Sequence, residues 1–195
     1  MIEIYCQCYD GIHYALAMNL TEIVTSTFAT DEKTAIFNIL SNLPFDTVFQ
    51  VFREPSIQAK KILQTLKDIY DGKEPTIHAS LSIAHLPAYT KKVLKATMAI
   101  PVGYVTSYGA IANAVGGGPR AVGNAMACNL FPLIVPCHRV VKSDLSLGGY
   151  GAGGLRVKLK FLQRESRGYT KPKTVCVEGS QLCVLPVEYV IRKFV

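Results

Sequence analysis

The sequence lacks tryptophan, carries few charges and has no long apolar run. Charged residues make up 18% of the 195 residues and hydrophobic residues 49%, which suits one or two small globular domains with a buried core. No apolar stretch approaches a membrane span, and no N-terminal segment combines a charged start, an apolar block and a small-residue cleavage site. We therefore expect an intracellular, cytoplasmic protein, nuclear only if its source is eukaryotic.

Cysteine is too sparse for a disulfide scaffold, with six residues in 195. Cys6 with Cys8, and Cys176 with Cys183, stay open as either free thiols or disulfides. Cys6, Cys8 and His13 lie close together in the sequence, but no fourth ligand accompanies them, so no zinc site is predicted. We expect neither a metal nor another cofactor.

Acidic residues are scarce after residue 84, although the formal net charge of the chain is only +7. Residues 1–84 contain ten acidic residues and six Lys or Arg. Residues 85–169 contain two acidic residues and eleven Lys or Arg, and residues 170–195 contain two acidic residues and four Lys or Arg. A basic surface of this kind attracts polyanions, and nucleic acid is the default candidate. The alternative is a generic basic surface without a specific partner.

The first part of the chain predicts an α/β domain. Short apolar segments within residues 2–29 predict three strands joined by tight turns. Two amphipathic segments then predict helices, the first beginning at Asp31 and the second ending at Gly72. The sequence predicts an α/β domain in residues 1–84 and a mainly α domain with a helix-turn-helix and the active site in residues 85–169. A C-terminal extension follows in residues 170–195.

The helix-turn-helix is predicted from three local signals. Ser107 caps one helix, a turn of three glycines follows at Gly116–Gly118, and Pro119 takes the first position of the next helix. In the extension, apolar alternation around Gly179 predicts a hairpin, which we expect on the domain surface.

The second helix of this pair has Arg120 near its start and then carries mostly small side chains, Ala-Val-Gly-Asn-Ala-Met-Ala. A helix that reads bases in the major groove normally presents long polar side chains, whereas small residues let a helix backbone approach a narrow minor groove. Tight packing in a protein core explains the same composition equally well. Arg120 favours an exposed face, where it would bind phosphate or enter the base stack as a wedge.

An apolar segment, residues 133–141, carries Cys137 between a proline and a histidine. Pro136 biases the residue before it toward an extended conformation, so we expect Cys137 in a stiff, extended turn. The thiolate is the attacking species, and His138 is a suitable base. Adjacent side chains of an extended chain point to opposite faces, so His138 would reach Cys137 through a water. The alternative is a buried structural cysteine.

A glycine-rich loop, residues 148–154, follows Cys137 and offers backbone amides that approach a ligand closely. Its spacing meets a nucleotide fingerprint only loosely. The next predicted helix, residues 155–168, carries Glu165 as its only acidic residue. Facing inward, Glu165 would orient His138; the alternative is a surface salt bridge.

Several motifs between Leu86 and Gly168 occur in a fixed order and spacing. They are Ile100-Pro-x-Gly103, Ser107-Tyr108-Gly109-x-Ile111-Ala112, Pro119-Arg120-Ala121-Val122-Gly123, Asn129 with Pro132, Pro136-Cys137-His138-Arg139-Val140, Gly149-Tyr150 with Gly153-Gly154, and Lys158 to Glu165. Together they resemble the O6-alkylguanine-DNA alkyltransferase family, the methylated-DNA–protein-cysteine methyltransferases. The resemblance implies an RNase H-like N-terminal domain and a winged-helix-like C-terminal domain. The glycine turn is shorter than the family pattern, and the glycine-rich loop is one residue longer.

The resemblance implies irreversible transfer of the alkyl group of O6-alkylguanine, or of O4-alkylthymine, to Cys137 after minor-groove binding and base flipping. His138 would act as the base through a water, and Glu165 would hold the His138 tautomer. Tyr108 would donate to guanine N3 as the base leaves. The product is a stable thioether, so each monomer would react once with double-stranded DNA.

The resemblance also assigns the groups that hold the substrate, with the O6-contacting amide left open in the glycine-rich loop. The expected substrate-binding residues are Asn129, Val140, Tyr150, Gly151 and Ala152. The expected DNA-binding residues are Ser107, Arg120, Ala121, Gly123, Ala125 and Arg139. Among them, Arg120 would take the place of the extruded nucleotide, and Arg139 would also support the active-site loop electrostatically.

Two other functions stay open. A non-reactive sensor of alkylguanine would bind the lesion without accepting the alkyl group, and Cys137 argues against it. An unrelated cysteine hydrolase would turn over esters or peptides, and Arg120 and the small-residue helix would then be coincidental.

Overall fold

The structure is a computed structural model that describes residues 1–194, and its contacts divide the chain into two compact units. The first unit consists of Met1–Tyr70, Glu74–His85 and Leu130–Ile134, and the second of Asp71–Lys73, Leu86–Asn129 and residues 135–194. Within the described range, no helix has both the length and the apolar character needed to cross a membrane.

The first unit is built on a five-stranded sheet. Its elements are β1 (Ile2–Tyr9), β2 (Ile12–Met18), β3 (Glu22–Ala29), α1 (Glu32–Ser41), β4 (Phe49–Phe52), α2 (Ile57–Tyr70) and β5 (Ser80–Leu81). The strand order is β4-β1-β2-β3-β5, in which β1, β2 and β3 form an antiparallel meander, β4 is parallel to β1 and β5 is parallel to β3. The core joins Ile4, Ala15 and Ala17 to Ala35 and Ile39 of α1.

The three strands and two helices predicted for this part of the chain are confirmed. Asp31 caps α1 because its Oδ1 accepts a hydrogen bond from Thr34 N at 2.9 Å. The sequence does not predict β4 or β5. Three of the four β4 residues are exposed and β5 has only two residues, so neither strand shows the alternation of a half-buried strand.

The second unit combines helices with a four-stranded sheet. Its elements are α3 (Ala88–Met98), β6 (Tyr104–Ser107), α4 (Tyr108–Val115), α5 (Pro119–Ala127), a 3-10 turn (Cys137–Arg139), β7 (Val140–Val141), α6 (Gly154–Arg164), β8 (Lys173–Val177), β9 (Ser180–Pro186) and α7 (Glu188–Ile191). The strand order is β7-β6-β9-β8. The first unit confirms the predicted α/β domain, whereas the second unit, which was expected to be mainly α, adds a four-stranded sheet to its helices.

Helices α4 and α5 form the predicted helix-turn-helix. Ser107 Oγ accepts a hydrogen bond from Ala110 N at 3.0 Å at the start of α4, and Pro119 is the first residue of α5. Helix α3 shares a core with both helices, to which Val93, Ile111 and Val122 contribute. The predicted bounds agree with the observed ones because cap, glycine and proline all act locally.

The predicted hairpin of the tail is present, but it completes a sheet instead of lying on the surface. Glu178 and Gly179 have φ values of 48° and 85°, as a two-residue type I′ turn requires. Strand β9 pairs with β6, and its Leu182 and Val184 are buried in the core of the second unit. The sequence does not predict β6, the strand that holds the hairpin in place.

Gly72 has a φ of +82°, and a Cβ added there would lie 2.5 Å from the backbone oxygen of Arg164. Gly72→Ala combines left-handed strain with a backbone clash, so we expect it to lower the free energy of unfolding by about 3 kcal/mol. Gly179→Ala is the matched control, because Gly179 has φ +85° with open space around it, and we expect a loss of about 1 kcal/mol. Urea denaturation measures both losses; equal losses would contradict the close contact.

Candidate active site

Cys137 lies on a tight reverse turn. Pro136 has φ −79° and ψ 62°, and Cys137 N donates to Val135 O at 2.7 Å, which is the geometry of an inverse γ-turn. Cys137, His138 and Arg139 then form the 3-10 turn. The predicted extended turn is therefore wrong, because proline fixes only its own φ and leaves ψ free to close the three-residue ring.

Asn129, which follows the C-cap of α5, holds the Cys137 thiol. Its Nδ2 donates to Val135 O at 3.1 Å and to Cys137 Sγ at 3.3 Å. The thiol borders a cavity of about 400 Å³, which is lined by Tyr108, Gly123, Met126, Ala127, Cys137, Gly149, Tyr150 and Gly151. The helix-turn-helix, the 3-10 turn that begins at Cys137 and the glycine-rich loop therefore contribute walls to one cavity.

The Cys137 sulfur is protonated in the resting protein. Burial raises the pKa of the thiol, and the Asn129 hydrogen bond and the Lys158 charge offset this effect only in part. Since the thiolate is the nucleophile, attack at neutral pH needs a base beside the sulfur.

His138 supplies a neutral imidazole. The residue is 1% exposed, and its Nε2 lies 2.8 Å from Oε1 of Glu165. Burial lowers the pKa of His138 although the Glu165 charge opposes it, so the ring is neutral at neutral pH. An ionised carboxylate only accepts, so Nε2 carries the hydrogen and Nδ1 keeps its lone pair. Nδ1 is buried with no hydrogen-bond partner among the described residues, which makes it the basic atom of the site.

Glu165 is ionised although it is only 1% exposed. Burial alone would raise its pKa, but His138 and then Arg139 outweigh burial and lower the pKa to about 2. Arg139 Nε donates to Glu165 Oε2 at 2.9 Å, and its Nη2 donates to Oε1 at 2.8 Å. The Arg139 charge therefore balances the Glu165 charge in the buried site.

The position of Arg139 corrects its expected contact with DNA. The residue is only 6% exposed, and its Nη1 donates to Ile100 O at 2.6 Å while Nε and Nη2 donate to Glu165. A guanidinium used in this way is not presented to a phosphate. Arg139 instead holds Glu165 and the Ile100 carbonyl, which agrees with the expected electrostatic support of the loop.

Lys158 is a buried cation to which the sequence assigns no separate role. Its Nζ donates to Val140 O at 2.6 Å and to Gly149 O at 3.1 Å, and burial lowers its pKa to about 8. The ammonium ties the strand after the reactive turn to the glycine-rich loop, and it engages the Val140 carbonyl that was expected to bind substrate. The helical spacing of the sequence is the signal that indicates the burial of Lys158, because Phe161 and Leu162 lie three and four residues later on the same buried face.

Tyr108 begins α4, and its ring covers Gly148 of the glycine-rich loop. A Cβ on Gly148 would lie 3.0 Å from Cε2 of Tyr108, and the φ of Gly148 is +68°, so the contact needs glycine there. Burial raises the pKa of Tyr108, and its hydroxyl is a hydrogen-bond donor at neutral pH. Tyr150 and Gly151 line the cavity, whereas Ala152 is outside its described lining.

The exposed face of α5 differs from the expected DNA-contact set at one position. Arg120 and Ala121 are exposed, and Gly123 borders the cavity. Ala125 is only 5% exposed and packs in the core, so its predicted DNA contact is wrong. The helical period turns Ala125 inward and leaves Asn124, Ala127 and Cys128 exposed in addition to Arg120 and Ala121.

Proteins of one family resemble this chain in sequence. A family profile described as "6-O-methylguanine DNA methyltransferase, DNA binding domain" matches residues 88–167. The methylated-DNA--protein-cysteine methyltransferase of Methanocaldococcus jannaschii is 38% identical over 120 residues, which cover 60% of this chain and 70% of that protein. The chain belongs to the O6-methylguanine-DNA methyltransferase family.

Two further members of the O6-methylguanine-DNA methyltransferase family are similar to this chain, one in sequence and one in structure. The methylated-DNA--protein-cysteine methyltransferase of Methanothermobacter thermautotrophicus is 37% identical over 112 residues, which cover 57% of this chain. The chain spans 63% of that relative, less than two thirds of its length. The crystal structure of the O6-methylguanine-DNA methyltransferase of Pyrococcus kodakaraensis aligns with a TM-score of 0.66 at 25% identity, covering 86% of this chain and all of that one.

Glu165→Gln tests the buried charge in this member of the methyltransferase family. Because it leaves Arg139 buried without a counter-charge, we expect a loss of about 3–5 kcal/mol of unfolding free energy at pH 7. The folded pKa of Glu165, about 2, lies below its ordinary value of 4.5, so its stabilisation is complete above pH 4.5 and declines as the pH falls toward 2. The difference between wild type and variant should therefore shrink over that range in urea denaturation.

Glu178→Gln is the control for this experiment. Glu178 forms an exposed ion pair with Lys95 at 3.0 Å, and its loss should change the unfolding free energy by less than about 1 kcal/mol. A Glu165→Gln variant as stable as Glu178→Gln at pH 7 would contradict an ionised, paired Glu165.

Proposed function

We propose that this member of the family repairs DNA by moving the alkyl group of O6-alkylguanine, or of O4-alkylthymine, irreversibly to Cys137. The observation that carries the proposal is that the protonated thiol of Cys137 borders a cavity, while the next residue, His138, holds a neutral imidazole against the ionised carboxylate of Glu165. A cavity of about 400 Å³ is in the range that holds a small ligand. The names of the relatives describe a protein cysteine as acceptor and methylated DNA as donor.

The transfer moves one proton and one alkyl group. The Cys137 hydrogen passes through a water to Nδ1 of His138, and the sulfur attacks the alkyl carbon. The bond from that carbon to O6 breaks, and its electron pair stays on guanine. Tyr108 donates to guanine N3 so that negative charge does not accumulate, and the proton held by His138 finally neutralises the base. The product is an S-alkylcysteine thioether, so each molecule reacts once.

Double-stranded DNA is the proposed partner, and the helix-turn-helix supports it. Arg120 is exposed at the second position of α5, where it would fill the space of the extruded nucleotide. Ala121 and Gly123 would let the α5 backbone approach the minor groove. Tyr150 and Gly151, which line the cavity, would hold the flipped base together with Asn129 and Val140.

We also infer finer features of the fold. The antiparallel meander of β1, β2 and β3, with β4 parallel to β1, supports an RNase H-like first unit. The helix-turn-helix and the sheet that contains the β8–β9 hairpin support a winged-helix-like second unit. Every proposed site residue lies in the second unit of one chain, which supports action as a monomer. A DNA substrate supports the expected intracellular location.

Intact mass after incubation with duplex DNA that carries one O6-methylguanine tests the transfer. We expect a gain of about 14 Da, mapped to Cys137 and saturating at one per chain, because the thioether is not turned over. Cys137→Ser should gain no mass while it still binds the DNA. Cys176→Ser is the matched control, since Cys176 is an exposed cysteine of the same unit that lies on β8 and not on the helix-turn-helix, and it should gain the same mass as wild type.

The other outcomes of this experiment separate the competing functions. Wild type that binds the lesion without gaining mass would be a sensor. Wild type that neither binds nor gains mass would leave the cysteine hydrolase, for which turnover of esters is the next measurement.

Arg120→Ala tests the proposed wedge. We expect it to slow transfer from duplex DNA by about 10–100-fold, because extruding the base costs a few kcal/mol that Arg120 would offset, and to leave transfer from free O6-benzylguanine nearly unchanged. Arg156→Ala removes an exposed arginine of α6 and should leave both rates close to those of wild type. Single-turnover rates on the two substrates measure the effect, and equal losses on both would contradict the wedge.

A further inference from the structure

The turn between α4 and α5 consists of three glycines, and Tyr89 of α3 holds it. Gly116 and Gly117 have φ values of +89° and +85°. A turn without side chains has unusual conformational freedom, so its direction needs an outside constraint. Tyr89 Oη supplies one by donating a hydrogen bond to Gly116 O at 3.1 Å.

Tyr89 also holds the turn by contact. A Cβ added to Gly117 would lie 2.7 Å from Tyr89 Oη and 3.0 Å from its Cε2 and Cζ. The edge of the ring therefore occupies the space that any side chain at position 117 would need. Tyr89 itself packs against the core shared by α3, α4 and α5, so the phenol is anchored while it touches the turn.

The start of α5 depends on the direction of this turn. Helix α5 begins at Pro119, directly after Gly118, and Gly118 provides no side-chain cap. Pro119 fixes its own φ, so the backbone direction of the glycine turn largely sets the position of the next residue, Arg120. Whatever fixes Gly116 and Gly117 also limits the directions that are open to Arg120.

We propose that Tyr89 is a positioning residue for Arg120, because it fixes the glycine turn from which α5 begins. The inference rests on the proposed function, in which Arg120 enters the base stack of duplex DNA. The contacts that hold Cys137, His138 and Glu165 do not include Tyr89. Tyr89 therefore affects the reaction with duplex DNA and not the chemistry of the thiol.

Tyr89→Phe tests the inference, since it removes the hydroxyl and keeps the ring. We expect transfer from duplex O6-methylguanine to slow by about 5–10-fold, as a small misplacement of a positioning group commonly does, and transfer from free O6-benzylguanine to change less than about 2-fold. Tyr189→Phe is the matched control. Its hydroxyl donates to Thr170 O at 2.7 Å in the same unit, and its loss should leave both rates unchanged.

A double variant separates positioning from a general structural role. If Tyr89 acts through Arg120, adding Tyr89→Phe to Arg120→Ala should slow the duplex reaction no further. A further loss as large as that of Tyr89→Phe alone, or equal losses of Tyr89→Phe on duplex and free base, would overturn the inference. Wild type that transfers nothing from duplex DNA would show instead that the proposed function is wrong, and that result does not involve any Tyr89 variant.

Discussion

Glu165 holds a negative charge almost completely out of water, and the reactive turn is shaped to satisfy it. A buried carboxylate without partners takes up a proton, because burial disfavours the charged form. His138 and Arg139 prevent this, and they are consecutive residues. An extended chain would send two neighbouring side chains to opposite faces, whereas the 3-10 turn that follows Pro136 lets both reach the same carboxylate. The turn that presents Cys137 is thus the one that the ion pair requires.

The same helix that carries Glu165 also fixes the glycine-rich loop. Lys158 lies on the buried face of α6 with Phe161 and Leu162, about two helical turns before Glu165. Its ammonium reaches Val140 and Gly149, so α6 holds both the strand that follows the Cys137 turn and the glycine-rich loop. Burying a lysine costs free energy unless its donors are used, and two carbonyls use them here. The packing of the buried face of α6 therefore positions both His138, through Glu165, and the glycine-rich loop.

The features that the sequence predicts are those with local causes. The cap at Ser107, the glycine turn and Pro119 define α4 and α5 without help from the rest of the chain. The sequence does not show that Arg139 is buried in an ion pair, because the carboxylate that binds it is 26 residues away. Ala125 was expected to contact DNA because the resemblance assigned it there, although Val122, Ala125 and Met126 have the i, i+3, i+4 spacing of a buried helix face and pack in the core shared with α3 and α4. Strands β4, β5 and β6 likewise depend on pairing with distant strands.

The resting electrostatics of the site suit the proposed reaction, which would consume the protein. The thiolate is the form of cysteine that oxidants and stray electrophiles attack, and burial keeps Cys137 protonated. A pre-ionised sulfur would be consumed by such encounters, and a thioether would not return it. Burial also keeps His138 neutral, and Glu165 fixes its tautomer so that Nδ1 is basic before any substrate arrives. The thiol therefore ionises only when a substrate fills the cavity. A nucleophile that reacts once has to avoid ionisation at any other time.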